Sequence, residues 1–386
     1  MRFQIPTTCH LAACAAAAVI TLPSTAAEYS PVVCAARQAY AGRPLHAPLA
    51  GFDASLTVPG QPLDAGTSQR LDDAFALTRK AAAADAMTAA VAIAGAGLWH
   101  KTVAPADAPL LYWASAGKTL IAVVAMQLVE EKRLNLDDPV SRWVKDVPNG
   151  QAVTVRDLLA HTSGIFSANE DLRARANPRY RTPDEALQIA RTHGAMFCPG
   201  SYWRYSNTGF DLLGVIIEAV DGQSFDQAIA ARIISPLGLK SMHALRPGAA
   251  APGIAPLAST KETPIEPGWP GAAGPIAADA ADMARFWAAL LGGQLLAPAS
   301  VNAMFATLYP MFDTGTFYGL GVMVFDIANG DRQDLWLGHA GGTPGASALV
   351  FYSPADKAVV AVALTGDGPA AAVANYLLKQ MRPARR

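Results

Sequence analysis

Leu110-Leu111-Tyr112-Trp113-Ala114-Ser115-Ala116-Gly117-Lys118-Thr119 joins a short strand-like run to residues 119–131, which are apolar almost all round until their charged end. A helix of that composition is buried rather than laid on a surface. Ser115, at its first turn, and Lys118, three residues on, share one face. The positive end of the helix stabilises negative charge on the serine oxygen and on its transition state. A lysine held in a dry site can be neutral, and it then takes the serine proton and activates a weak nucleophile. Composition alone yields roughly one Ser-x-x-Lys in a chain of this length by chance, so the setting matters. Here the pattern occurs once, at the junction of strand and buried helix. Gly117-Lys118-Thr119 imitates the tail of a phosphate-binding loop, but Tyr112 stands where that loop needs a glycine. A lipase-type nucleophile elbow fails likewise, because Trp113 lies two before Ser115.

Two further segments carry polar groups suited to a site. Tyr205-Ser206-Asn207 follows Cys198-Pro199-Gly200 in a loop that enters a helix bearing Asp211 and Leu212. Tyrosine can shuttle protons, and asparagine offers both a donor and an acceptor to a substrate amide. A plain turn with Tyr205 packed in the core is the commoner meaning of such a segment alone. Gly338-His339-Ala340-Gly341-Gly342-Thr343-Pro344-Gly345 precedes the last strands. Its glycines let a backbone approach a bound substrate, and its N–H groups could complete an oxyanion hole with that of Ser115. His161, in Leu158-Leu159-Ala160-His161-Thr162-Ser163-Gly164, reads as part of a helix end.

Outward from these segments, residues 71–84 have helical periodicity and 88–97 read as one buried strand. Helix starts fall at Asp138-Pro139 and at Thr154. Helices are expected over 184–191, 209–220, 280–291 and 369–381. Strands are expected over 319–326, 335–337, 346–352 and 358–365, with Ser353-Pro354-Ala355-Asp356 turning the last two into a hairpin. Residues 247–275 hold seven prolines and little periodicity; so long a loop reads as a wall or lid beside a cleft, or else as a linker. An early helix and strand, a helical middle and a late antiparallel sheet imply an α+β architecture. In it the chain ends meet in one α/β lobe (28–132 and 256–386), and 133–255 form an inserted helical lobe. The cleft between the lobes is where a small-molecule site is expected.

The chain has 386 residues, 52% hydrophobic and 16% charged, with 30 basic and 31 acidic side chains. That excludes a disordered chain, and a pI near 6.7 gives no positive field for nucleic acid. Arg2, an apolar stretch from about Leu11 to Leu22 and the small residues Ser24, Thr25, Ala26 and Ala27 read as a secretory signal over 1–27. No other stretch is long enough to cross a membrane. Cleavage there leaves two of the four cysteines, Cys34 and Cys198. They can pair in an oxidising compartment or stay as separate buried thiols. No metal-ligating pattern appears, and no cofactor is implied.

Ser-x-x-Lys, Tyr-x-Asn and His-x-Gly, in that order, resemble the penicillin-recognising serine hydrolases. The resemblance is to the branch of class C β-lactamases, D-alanyl-D-alanine carboxypeptidases, D-aminopeptidases and β-lactamase-like esterases. Leu-Leu-Ala-His-Thr-Ser-Gly (158–164), Tyr-Ser-Asn-Thr-Gly (205–209), Pro-Leu-Gly-Leu (236–239) and the segment 338–345 match as well. The likeness runs over about 70–366. It implies an antiparallel sheet flanked by helices (a β-lactamase/transpeptidase-like fold) and a site between sheet and helical lobe. It implies Ser115 as the acylated nucleophile, Lys118 as its proton acceptor and Tyr205 as the group serving the leaving group and the deacylating water. Asn207 would orient Lys118 and the substrate amide, the N–H groups of Ser115 and Gly342 would form the oxyanion hole, and His339 and Gly341 would line the substrate. Efficient β-lactamases of this branch usually carry Lys-Thr-Gly where this chain reads His339-Ala340-Gly341. A partly charged imidazole and a missing hydroxyl imply weak carboxylate recognition. Hydrolysis of a peptide (D-amino-acid-type) or an ester is therefore expected, with a β-lactamase or a penicillin-binding sensor as alternatives. The expected partner is a small-molecule or peptide substrate, and the oligomeric state is left open.

Overall fold

A computed structural model of the chain describes residues 32–52, 56–329 and 332–382; the secretory signal read at 1–27 lies outside the described residues. The described chain opens with a helix, Ala65–Ala81 (α1), and a strand pair, Met87–Ile93 (β1) and Gly97–Val103 (β2). The short strand Leu111–Tyr112 (β3) and the helix Lys118–Glu130 (α2) follow. The helical middle comprises Val155–Leu159 (α3), Leu172–Ala176 (α4), Pro183–His193 (α5), Asn207–Asp221 (α6), Phe225–Ile229 (α7) and Ser235–Leu237 (α8). Strands His243–Ala244 (β4) and Ile276–Ala278 (β5) bracket the proline-rich segment, and helices Ala280–Leu291 (α9) and Pro298–Met304 (α10) come next. The strands Tyr309–Pro310 (β6), Thr316–Tyr318 (β7), Met323–Asn329 (β8), Arg332–Thr343 (β9), Ala346–Ser353 (β10) and Ala358–Thr365 (β11) lead to the closing helix Ala370–Met381 (α11).

β1 and β11 are Ala/Val runs buried on both faces. Side chains alternate across a strand, so Ala89, Val91, Val360 and Val362 meet Phe75 of α1 and Leu377 of α11, whereas Ala90, Ala361 and Ala363 join the core containing Ile121 and Trp287. The resulting eight-stranded sheet has the order β2-β1-β11-β10-β9-β8-β7-β6, and its pairings are antiparallel. Gly342 stands opposite Ser347, and Gly341 opposite Ala348. The helical layer packs on the other side of α2, whose residues from Lys118 to Met126 are all buried. Each fully buried Val, Leu or Ile there contributes about 1.5–3 kcal/mol, which makes α2 a rigid floor. The fold is α+β, an antiparallel sheet flanked by helices, as the sequence implies.

Side-chain caps set several helix starts. Thr154 and Asp157 form a reciprocal capping box on α3, Thr182 and Glu185 another on α5, and Asp279 caps α9. Other expectations need correction. The expected strand 88–97 is a hairpin, because Gly95 at φ 73° turns the chain and β2 pairs back on β1. The helix expected at Asp138-Pro139 is a short 3-10 turn, Val140–Arg142. β8 begins at Met323 rather than 319, since Gly321 turns against Ala122 of α2. β9 runs on through the His339 segment instead of ending before it.

Cys34 and Cys198 are joined by a disulfide, with Cα atoms 5.7 Å apart. Nearby, Arg37 donates to the fully buried Asp157 at 2.9 Å, and the N–H groups of Gln38 and Ala41 donate to the carbonyls of Pro199 and Ser201. The segment at 34–41 is therefore fastened to the helical layer, although its place in the chain suggested the sheet layer.

Candidate active site

The Ser115 turn is held from behind by strand pairing. β3 pairs with β5, Trp113 N donates to Ile276 O, the Trp113 indole N–H donates to Ala278 O, and Tyr112 Oη donates to Gly274 O. The chain then turns sharply: Ala114 sits at φ 45°, a left-handed conformation that costs a non-glycine residue about 1–2 kcal/mol. A 3-10 turn, Ala114–Gly117, carries Ser115 into α2. Gly117 is needed there, because a Cβ would lie 2.7 Å from Pro275 Cδ.

Lys118 is wholly buried, yet its Nζ directs three contacts: 3.1 Å to Ser115 Oγ, 2.7 Å to Asn207 Oδ1 and 2.5 Å to Ala273 O. The last two partners can only accept. When Lys118 is neutral, its two N–H groups serve those acceptors and its lone pair is left for the serine hydroxyl proton. Burial brings Lys118 down to about 7, and Asp211 pulls against that shift by favouring the charged form. Serine and base are thus poised for proton transfer near neutrality.

Asn207 is the first residue of α6, whose N-terminus is capped by Ser206 accepting from Gly209 N. Its side-chain N–H donates to Asn169 Oδ1 at 2.9 Å, and its backbone N–H donates to Ser167 Oγ. Tyr205 brings its ring to 4.9 Å from Lys118 Nζ. Behind it lies His161, a residue the sequence reading set aside as a helix end. α3 does end two residues earlier, but His161 adopts φ 59° and turns back into the site. Its carbonyl accepts from Arg204 N at 2.9 Å and its Nδ1 accepts from Ser206 N at 3.2 Å, so it grips the chain on both sides of Tyr205. The two rings lie with centroids 4.1 Å apart. With Nδ1 an acceptor, the ring proton sits on Nε2, which is buried and has no hydrogen-bond partner among the described residues.

The His339 segment reaches the serine through Gly341. A Cβ there would lie 2.2 Å from Trp113 O and 3.1 Å from Ser115 N, so only glycine lets β9 come this close. His339 itself needs correction. Its ring is fully buried, Nδ1 donates to Ala340 O at 2.6 Å, and Nε2 accepts from Tyr318 Oη at 3.1 Å. Burial lowers it to about 3, so the ring is neutral, not partly charged as expected, and has no free nitrogen for a substrate carboxylate. Its place is behind Tyr318, which in turn packs edge-on to Tyr205.

The structure thus brings Ser115, Lys118, Tyr205, Asn207 and Gly341 together from three separate parts of the chain, with Gly342 next along β9. The sequence reading missed Asn169, Ser167, Tyr318 and the carbonyl of Ala273. The last comes from the proline-rich segment, whose final turn is a wall of the site. No group of three or more His, Cys, Asp or Glu is placed to hold a metal ion among the described residues. No helix among them is long and apolar enough to cross a membrane.

Comparison with known proteins bears on the family and the fold. The family model described as Beta-lactamase matches residues 71–380. PbpX of Bacillus subtilis (strain 168) is 31% identical over 255 residues, 64% of this chain and 60% of that protein. The chain therefore spans about 60% of the length of that curated relative. Among solved structures, a D-stereospecific amidohydrolase from Streptomyces sp. superposes with a TM-score of 0.68 at 29% identity, covering 84% of this chain and 100% of that one. The D-amino acid amidase of Ochrobactrum anthropi SV3, complexed with L-phenylalanine amide, shares the fold at 22% identity, with a TM-score of 0.69 over 82% of this chain and 98% of that chain. A serine turn, a buried lysine and a glycine-lined strand in this order are carried by a chain that belongs to the β-lactamase family of penicillin-recognising serine hydrolases.

Proposed function

We propose that the protein is an exported serine hydrolase that works through a Ser115 acyl-enzyme on peptide bonds of D-amino-acid type or on esters. The contact that carries this reading is the 3.1 Å approach of Lys118 Nζ to Ser115 Oγ, with the other lysine protons committed to Asn207 and Ala273. Neutral Lys118 takes the hydroxyl proton as Ser115 Oγ bonds to the substrate carbonyl carbon. The backbone N–H groups of Ser115 and Gly342 receive the oxyanion. Tyr205 hands a proton to the departing amine or alcohol, the same group then draws a proton from the attacking water, and Lys118 returns its proton to Ser115 Oγ as the acyl product leaves. Asn207 holds Lys118 in line and offers its amide to the substrate. The neutral, engaged ring of His339 argues for peptide or ester over β-lactam, because β9 brings no cation to a substrate carboxylate. The Cys34–Cys198 bridge and the leader-like pattern at 1–27 support export.

An intact-protein mass spectrum after incubation with a penicillin, run beside Ser115→Ala, tests the nucleophile. The expected result is an adduct that persists in the wild type and is absent in the variant. Turnover of D-alanine p-nitroanilide or a p-nitrophenyl ester by the wild type but not the variant is expected alongside. Equal turnover by Ser115→Ala would overturn the reading.

A further inference from the structure

Asp211 stands one turn after Asn207 on α6, and the two share the face that packs on the turn at 271–273. Gly214 continues this face; a Cβ there would lie 2.9 Å from Ala272 Cβ, which shows how near the turn comes. At Gly271 the two sides draw apart, and a Cβ would lie 3.6 Å from Asp211 Oδ1. The carboxylate is thus beside the wall of the site and next to the residue that orients the base. It makes no hydrogen bond and no ion pair with any described residue. Lys118 cannot serve it, since its donors are committed to Ser115, Asn207 and Ala273. Among the described residues Tyr180 is the other ionisable group that senses Asp211; burial raises its phenol, so it is neutral, and it shares no hydrogen bond with Asp211. Protein surrounds Asp211 closely enough that desolvation is its largest influence, yet the side chain keeps contact with solvent. Burial raises Asp211 to about 8, against the pull of Lys118, so near neutrality the crowded, wetted side chain is largely the neutral acid. A bound cation with N–H donors would draw the group into its charged form and pair it there.

We propose that Asp211 is the counter-ion for a primary ammonium group on the substrate, and that the enzyme therefore prefers positively charged amine-bearing substrates to their neutral counterparts. This rests on the hydrolase reading above and adds the charge of the substrate to it. The ammonium can be the α-amino group of a free amino-acid derivative or the end of a basic side chain. Either would place three donors against a carboxylate that has none.

Two matched pairs distinguish these sources. D-alanine p-nitroanilide is compared with its N-acetyl form, and Nα-acetyl-D-lysine p-nitroanilide with Nα-acetyl-D-norleucine p-nitroanilide. In one pair, the charged compound is expected to exceed the neutral one by about tenfold or more in kcat/KM, the gain of one charge-assisted hydrogen bond. In Asp211→Asn that ratio falls toward one, and Asp211→Glu, which keeps the charge, restores most of it. Thermal unfolding confirms that each variant is folded. Calorimetric binding of the same four compounds to Ser115→Ala reads the ratio without turnover. Absence of hydrolysis in the wild type would therefore sink the hydrolase reading while the binding ratio still decides the role of Asp211. A ratio near one in both pairs, or one unchanged in a folded Asp211→Asn, would overturn the proposal.

Discussion

The wholly buried Lys118 Nζ lies 3.1 Å from Oγ of the half-buried Ser115, and the lysine is the only side chain among the catalytic candidates that burial brings to about 7. Only the neutral amine can accept the serine proton, and the neutral fraction grows as pH rises. The rate of acylation should therefore climb with pH through about 7 and fall about tenfold for each unit below it. Single-turnover acylation from pH 5 to 9 checks this, and a rate that does not change between 6 and 8 would contradict the assignment. Lys118→Arg keeps the donors but stays charged, so acylation should drop by about 10²–10⁴ at every pH.

Gly341 sets the distance between β9 and the Ser115 turn. Because β9 is paired with β10 at Gly341 itself and with β8 up to Gly338, a methyl 2.2 Å from Trp113 O would displace the turn rather than the strand. Gly341→Ala should lose about 10²-fold in kcat/KM, the scale of a misplacement of about 1 Å. Stability should fall by about 1–3 kcal/mol from overpacking. Kinetics and thermal unfolding together test this; acylation within threefold of the wild type would show that the close approach is not required.

What the sequence made legible follows from local physics. The helix expected at 280–291 has those bounds in the structure, because Asp279 caps a run that is apolar and Ala-rich. The hairpin of β10 and β11 was readable from two apolar runs around Ser353-Pro354-Ala355-Asp356. Ser115 and Lys118 could be paired because three residues on a helix define a distance. The contact of Asn207 with Lys118 spans 89 residues, and only the resemblance to a family suggested it. β2 was missed because it carries polar His100 and Lys101, with His100 exposed, and β9 was cut short because glycines disfavour a strand reading. Ala273 acts through its carbonyl, a group that every residue has, so no side-chain pattern could mark it.

The Cys34–Cys198 bridge closes a separation of 164 residues and ties the N-terminal segment to the loop that leads to Tyr205. A loop of that length gives a chain-entropy estimate of about 5 kcal/mol, with about 2–4 typical. The double variant Cys34→Ser/Cys198→Ser should lose that much in urea unfolding, and reduction of the wild type should lose the same. A loss under about 1 kcal/mol in both would mean that Arg37–Asp157 and the strand-like contacts at Gln38 and Ala41 already hold the segment.

His161 separates a positioning role from a merely structural one. Its carbonyl and its Nδ1 hold Arg204 and Ser206, and its ring backs Tyr205, so the tyrosine is constrained on three sides by one residue. A positive φ at a histidine is strained and persists where the surroundings over-determine it. Asparagine tolerates that conformation and can present an acceptor to Ser206 N, whereas alanine supplies neither. His161→Ala should therefore lower kcat by about 10²-fold, and His161→Asn should recover at least a tenth of the wild-type rate. The loss should fall on deacylation as well as acylation, since Tyr205 serves both in the proposed cycle, and the acylation pH profile set by Lys118 should keep its midpoint. Equal rates for the two variants, both folded by thermal unfolding, would mean that His161 only packs.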